Sequence, residues 1–293
     1  MPPRALLLAN PGARRGGEAG DRAVAGLEAQ GLEVLSVTSF EPEGVGDVIA
    51  REKGQIDRVV VAGGDGTLNA AVQGLVGTEL PLAVLPLGTA NNLARTLRLP
   101  ATLEGACEVA ARGTRRSIDL GWVNGRYFFT TASMGLSVHI SEQLTPETKQ
   151  RWGALAYGVA ALRAASRARP FHAEISWKGG KRHSRTLQIV VGNGRYYGSA
   201  LPVAEDAAID DSRLDLYSLE VRHWLGLIGL VPALRRGSHG QKRSVEALRA
   251  TEFEIRTEVP LKLNVDGEIW GETPACFRVI PRALEVFAPA DRV

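Results

Sequence analysis

Short β-like runs alternate with helical runs up to Asp119, and this rhythm limits the possible folds more than any other feature of the chain. It predicts βαβ units built on a parallel sheet. In such sheets ligands bind beyond the carboxyl ends of the strands, so we expect the chemistry in the loops that follow them. The predicted strands are Arg4–Ala9, Leu32–Thr38, Arg58–Ala62 and Leu82–Pro86, and the predicted helices are Gly20–Gln30, Gly46–Lys53 and Leu68–Val76.

After Asp119 the pattern changes to β-rich runs separated by turn signals, which is typical of a sandwich or a barrel. Within Gly121–Thr131, Asn124-Gly125 predicts a type I′ hairpin turn, because both turn residues need positive φ. Two stretches read as helices, Lys149–Arg169 and Arg222–Arg236. The predicted strands are Phe171–Trp177, Thr186–Gly192, Leu214–Val221, Glu252–Thr257, Leu261–Val265 and Phe277–Ile280.

The composition excludes several classes of protein. With 44% apolar and 23% charged residues, the 293-residue chain predicts a globular protein of about two domains. Cys107 and Cys276 lie far apart and outside any C-x-x-C pair, which argues against a disulfide framework or a zinc cluster and favours the cytoplasm. The longest apolar segment, Trp224–Leu234, is well short of the roughly 20 residues that cross a bilayer. We therefore expect any membrane association to be peripheral.

Basic residues are concentrated between Arg163 and Arg185, a segment that contains seven Lys or Arg residues and one acidic residue, Glu174. A solvated surface face is one interpretation. The alternatives are contact with anionic lipid head groups and contact with nucleic acid. The charge of the segment does not distinguish these three interpretations.

The most specific stretch is Gly63-Gly64-Asp65-Gly66-Thr67, between a predicted strand and a helix expected to start near Leu68. Glycines let the backbone approach a phosphate, and the N–H groups at a helix start bind anions. A simple tight turn is the alternative, although one glycine usually suffices for that. The loop is neither a Walker A motif nor the G-x-G-x-x-G dinucleotide fingerprint.

Five motifs taken together resemble the bacterial lipid kinases of the diacylglycerol kinase catalytic family. They are GGDGTLN at 63–69, PLGTANNLAR at 86–95, GNGRYYG at 192–198, IDDSRLD at 209–215 and VDGE at 265–268. The resemblance implies a nucleotide-binding α/β domain at 1–121, to which 281–293 can return. It also implies a β-sandwich lipid-substrate domain at 122–280, with the active site in the cleft between the two domains. The activity it implies is transfer of the ATP γ-phosphoryl group, with Mg²⁺, to a lipid hydroxyl, with diacylglycerol giving phosphatidic acid as the leading case.

The resemblance also implies site residues. Asp65 would hold Mg²⁺ beside the phosphates, because a carboxylate repels a phosphate directly. A structural Mg²⁺ would take the Asp211 carboxylate and the carbonyls of Ala208 and Arg213, and Glu268 would be the general base. The implied nucleotide-binding residues are Asn10, Thr38, Gly64, Asp65, Gly66, Thr67, Leu68, Asn69, Ala70 and Thr89.

Simpler interpretations of two motifs stand beside these roles. Asp210-Asp211 alone would be an acidic surface turn. Asp266-Gly267 is a good hairpin turn, which is compatible with presenting Glu268. The chain departs from the usual family pattern at Ala70, Asn92 and Ser212, where an acid, Asp and Gly are common.

Alternative functions remain. An NAD kinase shares the GGDG loop but is expected to carry an Asn-Glu pair and a Gly-Ser-Thr-Ala turn, which this chain lacks. Sphingoid-base or ceramide kinases and a non-catalytic nucleotide-binding module are further alternatives. The expected partners are ATP and a lipid substrate at the membrane surface, with no nucleic acid, and a homodimer is left open.

Overall fold

The computed structural model describes residues 2–9, 16–37, 44–143, 168–194, 196–197, 201–202, 208–220 and 244–290. The chain divides into two compact units. One comprises Met1–Leu120 with Pro281–Val293, and the other comprises Gly121–Ile280.

The N-terminal unit contains a parallel sheet, as the alternating pattern predicts. Its strands follow the order β2-β1-β3-β4, and the C-terminal half of the last strand, β18, pairs with β4 in parallel through Val286 and Leu82. The elements are β1 (Arg4–Ala9), α1 (Gly16–Ala29), β2 (Glu33–Val37), α2 (Val45–Glu52), β3 (Arg58–Gly63), α3 (Asp65–Leu75), β4 (Leu82–Pro86), α4 (Asn92–Thr96), α5 (Leu103–Arg112), β5 (Thr114–Val123) and β18 (Ala275–Ala288).

Helices cover both faces of this sheet. Leu7 and Val60 belong to a buried cluster that includes Leu27 of α1 and Ala106 of α5. The alternate strand residues, such as Leu6, are also fully buried. Strands buried on both faces read as continuous apolar runs, which is why the sequence revealed them.

Two details of the N-terminal unit correct the sequence prediction. Helix α3 begins at Asp65, not near Leu68, because Gly64 takes an extended conformation and serves as the N-cap. Helices α4 and α5 were not predicted. The start of α5 carries a readable signal, since the Thr102 hydroxyl accepts a hydrogen bond from the Gly105 N–H.

The C-terminal unit is an antiparallel β-sandwich, which confirms the predicted fold class. One sheet has the order β14-β13-β10-β7-β16-β17, and the other joins β15, β8 and β9 to the first half of β18. The elements are β6 (Arg126–Phe128), β7 (Thr131–Gly135), α6 (Leu136–Gln143), β8 (Phe171–Trp177), β9 (Gly180–Thr186), β10 (Gln188–Gly192), β11 (Tyr196–Tyr197), β12 (Leu201–Pro202), β13 (Leu214–Leu219), β14 (Val245–Ala250), β15 (Glu252–Thr257), β16 (Lys262–Val265) and β17 (Glu268–Glu272).

The core of the sandwich lies between its two sheets. Met134 and Leu263 of the first sheet pack in one cluster with Phe253 and Phe277 of the second, and all four side chains are fully buried. Burying aromatic and branched side chains of this size supplies the main stabilising term of such a unit.

Both predicted hairpin turns are present. Asn124 and Gly125 have φ of 44° and 93°, and Asp266 and Gly267 have φ of 48° and 97°. The predicted strand Thr186–Gly192 is shorter, because β10 begins at Gln188. The preceding residues form β9, and the predicted strand Phe277–Ile280 extends to Ala275–Ala288.

The predicted helix Arg222–Arg236, and the predicted helix Lys149–Arg169 apart from its last two residues, lie outside the described residues. Across the described part of the chain, no helix combines the length and apolar character needed to span a membrane.

Cys107 and Cys276 are free cysteines, and burial raises the pKa of the Cys107 thiol to about 11, which keeps it protonated.

Candidate active site

The glycine loop after β3 leads directly into α3. Gly64 lies between the strand and the helix, and the first intrahelical hydrogen bond runs from the Leu68 N–H to the Gly64 carbonyl at 3.1 Å. The N–H groups that precede it, at 65–67, belong to the helix turn that has no acceptor within an α-helix. The helix dipole adds partial positive charge at the same end. This turn is therefore chemically suited to phosphate oxygens.

A second loop, between β4 and α4, touches the first one backbone to backbone. A Cβ atom added to Gly88 would lie 2.5 Å from the Gly64 Cα, and one added to Gly64 would lie 3.1 Å from the Gly88 Cα. The Leu87 N–H donates to the Gly63 carbonyl at 3.0 Å, which continues the β3–β4 ladder up to the loops. Only glycine permits so close an approach at this point. The two loops thus form one continuous backbone surface at the carboxyl end of the sheet.

The Asp65 carboxylate joins the two loops. Its Oδ1 accepts a hydrogen bond from the Asn92 N–H at 2.8 Å, and its Oδ2 accepts one from the Asn92 side-chain amide at 3.4 Å. Asn92 is buried at the start of α4. The preceding Asn91 closes the second loop, because its Oδ1 accepts from the Gly88 N–H and its amide donates to the Gly88 carbonyl. The structure thus gives Asp65 a positioning contact that the sequence did not predict.

The other predicted nucleotide-binding residues differ in how far they are exposed to solvent. Gly66 is exposed and Thr67 and Ala70 are half-buried, whereas Leu68 and Asn69 are buried. Thr89 is exposed in the second loop. The predicted residues Asn10 and Thr38 lie outside the described residues. Two side chains that sequence reasoning missed, those of Asn91 and Asn92, shape the second loop, although both stand inside the motif that suggested it.

The predicted metal turn is closed by an internal ion pair. The Asp211 Oδ2 lies 3.0 Å from the Arg213 Nε, and the Arg213 N–H donates to Oδ1 at 3.3 Å. Ser212 has φ of 56°, in the left-handed region that favours the usual glycine. A divalent cation here would compete with the guanidinium for the carboxylate. Within the described residues no group of three or more His, Cys, Asp or Glu side chains could hold a metal.

Glu268 follows the Asp266-Gly267 turn at the start of β17, the edge strand of its sheet. Its side chain is 43% exposed, and its Oε2 lies 2.5 Å from the Arg126 Nη2. The carboxylate is therefore both accessible to a substrate and fixed by a cation. Arg126 is a site residue that sequence reasoning missed. It stands directly after the predicted Asn124-Gly125 turn, but no local signal links it to Glu268.

The Asp266 carboxylate anchors the turn that carries Glu268. It accepts hydrogen bonds from the N–H groups of Phe129, Thr130 and Thr131 at 2.7, 3.0 and 3.0 Å, and from the Thr130 hydroxyl. Asn193, from the GNGRYYG motif, binds the same segment through the Phe129 carbonyl at 3.0 Å. The VDGE and GNG motifs of the C-terminal unit thus meet at residues 129–131.

The basic segment lies partly on β9, at the edge of its sheet, and acids neutralise part of it. Lys181 pairs with Glu174 at 2.7 Å and Arg182 pairs with Glu246 at 3.1 Å. The hydrogen bond from Lys181 lowers the pKa of Glu174. Arg163 and Arg167 lie outside the described residues. The arrangement fits a solvated face, and an anionic surface remains an alternative.

Comparison with known proteins finds a matching protein family for most of each unit. Residues 4–123 match the family described as diacylglycerol kinase catalytic domain, and residues 130–288 match the YegS C-terminal NAD kinase beta sandwich-like domain. Diacylglycerol kinases of Staphylococcus aureus, among them those of strains JH9 and NCTC 8325, are 30% identical over 275 residues, which cover 91% of this chain and 86% of theirs.

Two crystal structures from Bacillus anthracis str. Sterne share the fold. Their TM-scores are 0.82 and 0.75 at 23% and 20% identity, over 99% of this chain and over 96% and 98% of theirs. The second is described as a diacylglycerol kinase. At these identities the likeness concerns the fold alone.

The ion pair at the metal turn yields a prediction about Mg²⁺. Arg213→Gln removes the guanidinium that competes for Asp211 but keeps the backbone carbonyl, so we expect Mg²⁺ to raise the Tm of this variant more than that of the wild type. A site at ten times its dissociation constant adds about 1.4 kcal/mol to the free energy of unfolding. Differential scanning fluorimetry without nucleotide measures the shift.

Arg256→Gln is the matched control, because Arg256 also pairs with an acid two residues away, Glu254. Its response to Mg²⁺ should equal that of the wild type. Identical Mg²⁺ shifts in all three proteins would show that Asp211 is not a site for the cation.

Proposed function

The chain belongs to the diacylglycerol kinase catalytic-domain family and is a kinase, and we propose that it uses ATP to phosphorylate diacylglycerol, giving phosphatidic acid. The names of the 30%-identical Staphylococcus aureus relatives support this choice of lipid. Sphingoid bases and ceramide present the same reacting group, a hydroxyl, and are the rival substrates.

One observation carries the ATP half of the proposal, namely the contact of the two glycine loops at Gly64 and Gly88. A triphosphate presents several anionic oxygens in a row, and two adjoining loops offer backbone N–H groups along such a row. Asp65 fixes the distance between the loops through Asn92. Mg²⁺, the other expected cofactor, takes most of its ligands from phosphate oxygens and water in such sites, so we assign it to the nucleotide.

Glu268 carries the acceptor half of the proposal. The lipid hydroxyl oxygen forms a bond to the γ-phosphorus, the bond from that phosphorus to the ADP oxygen breaks, and the hydroxyl proton passes to the Glu268 carboxylate. Arg126 holds Oε2 of this group, which leaves Oε1 for the proton.

An apolar side chain on the same face of β17 as Glu268 suits a lipid. Trp270, two positions further along the strand, is 41% exposed, and Ile269, on the other face, is 40% exposed. Trp favours the boundary between membrane and water, because its ring is apolar and its N–H is polar. We propose that the protein works in the cytoplasm and meets its substrate at the membrane surface without spanning it.

The activity is tested by incubating the 293-residue chain with γ-labelled ATP, Mg²⁺ and single lipids in mixed micelles. The panel contains diacylglycerol, sphingosine and ceramide, with NAD as a soluble acceptor. We expect label in phosphatidic acid. Label in NADP would support the NAD kinase alternative instead, and label in no acceptor would remove the kinase reaction proposed here.

The role of Glu268 predicts the behaviour of Glu268→Gln. Glutamine is nearly isosteric but cannot accept the proton, so kcat should fall roughly 10²- to 10⁴-fold. The dissociation constant of ATP should stay nearly unchanged, because the phosphate loops belong to the N-terminal unit. Single-turnover kinetics and an ATP titration measure the two quantities.

Glu272→Gln is the matched control, because Glu272 lies at the other end of the same strand and is exposed. It should keep the wild-type kcat. A loss below threefold in Glu268→Gln would assign the proton to another group, and a large loss of ATP affinity would make Glu268 a nucleotide or metal ligand.

A further inference from the structure

The two type I′ hairpins of the C-terminal unit carry opposite charges at equivalent positions. One reads Val123-Asn124-Gly125-Arg126 and the other reads Val265-Asp266-Gly267-Glu268. In each hairpin the first residue pairs across the turn with the last, Val123 with Arg126 and Val265 with Glu268. Both valines are fully buried in the sandwich core. The charged residue that follows each turn is therefore placed by a buried strand partner.

The turns of both hairpins are braced from the side. The Asn124 amide donates to the Pro274 carbonyl at 3.0 Å, and its Oδ1 accepts from the Cys276 N–H at 3.0 Å. This links the first hairpin to the chain that follows β17. The Asp266 carboxylate accepts hydrogen bonds from the N–H groups of Phe129 to Thr131, directly after β6. Each turn is thus tied to the chain that leaves the other hairpin.

Arg126 lies between Glu268 and an aromatic ring. Its Nη2 is 2.5 Å from the Glu268 Oε2, and its guanidinium carbon lies 4.6 Å from the centre of the Trp270 ring. The Arg126 side chain is only 14% exposed, whereas that of Glu268 is 43% exposed. Stacking on a ring and partial burial restrict the guanidinium, so it can hold the more exposed carboxylate in one orientation.

We infer that Arg126 is a positioning residue for the proposed phosphoryl transfer, which aims the Glu268 carboxylate at the lipid hydroxyl. This inference rests on the proposed function, because it gives Glu268 the role of base. The simpler alternative is an ion pair that only stabilises the fold. The two differ in one respect: a positioning residue affects catalysis only while Glu268 can accept a proton.

A double-mutant cycle separates these alternatives. Arg126→Met removes the guanidinium and keeps a flexible apolar chain against Trp270. We expect kcat for diacylglycerol to fall about 10- to 100-fold, because a small misplacement of a reacting group is that costly. The KM for ATP should not change. In the Glu268→Gln background the same substitution should lower kcat by less than twofold. Arg126→Lys, which keeps the charge, should recover part of the loss.

Arg278→Met is the control. Arg278 also lies over a tryptophan, Trp122, at 5.7 Å and pairs with a glutamate, Glu252, at 3.2 Å. Neither of these contacts involves Glu268, so the Arg278→Met variant should keep the wild-type kcat. The Tm of each variant, measured alongside, shows that a fall in kcat does not come from unfolding.

Several results would overturn the inference. Arg126→Met with the wild-type kcat would leave the ion pair with a stabilising role only. Losses that multiply in the double variant would give Arg126 a role independent of Glu268, while the proposed function would stand. A wild-type chain that phosphorylates no lipid would remove the proposed function, and the inference with it.

Discussion

The close backbone contact between Gly64 and Gly88 brings the loops after β3 and β4 together, and the proposed ATP site depends on it. A Cβ at Gly88 would lie 2.5 Å from the Gly64 Cα and 2.7 Å from the Asn91 Oδ1, so a side chain there requires the loops after β3 and β4 to move. The contact follows from the parallel sheet, in which neighbouring strands end at the same edge. The Asp65 carboxylate then fixes the approach through the Asn92 N–H and amide. Since a neutral amide faces the carboxylate, the two loops are joined without opposing two negative charges.

In the C-terminal unit, the surrounding residues hold the Glu268 carboxylate in a defined position on the edge strand β17. An exposed ion pair alone contributes little to stability, about 0–1 kcal/mol, and so cannot supply that order by itself. Here the order comes from the surroundings. Buried Val123 and Val265 place the two strands, Asn124 and Asp266 brace the turns, and Trp270 restricts Arg126. The Glu268 side chain is 43% exposed, whereas the Arg126 side chain that holds it is 14% exposed and both valines are fully buried.

The sequence predicted those features that depend on neighbours in the chain. Buried strands such as Arg58–Gly63 show as apolar runs, and both Asx-Gly turns are visible because they need positive φ. Contacts between distant segments left no comparable signal. Nothing local to Asp65 indicates that its partner is Asn92, and nothing local to Glu268 points to Arg126, 142 positions earlier. The start of α3 was misplaced for a related reason, because glycines at 64 and 66 read as loop although the helix includes Gly66.

The claim that the paired loops bind the nucleotide is tested most directly by titrating ATP into the Gly88→Ala variant, by calorimetry. Gly54→Ala is the control, since a Cβ at Gly54 would meet nothing within 4 Å. A Cβ at Gly88 would push against the Gly64 Cα and open the loops. We expect ATP to bind Gly88→Ala at least about tenfold more weakly, a loss of about 1.4 kcal/mol, and to bind Gly54→Ala as it binds the wild type. Wild-type ATP affinity in a folded Gly88→Ala protein would show that the paired loops do not bind the nucleotide.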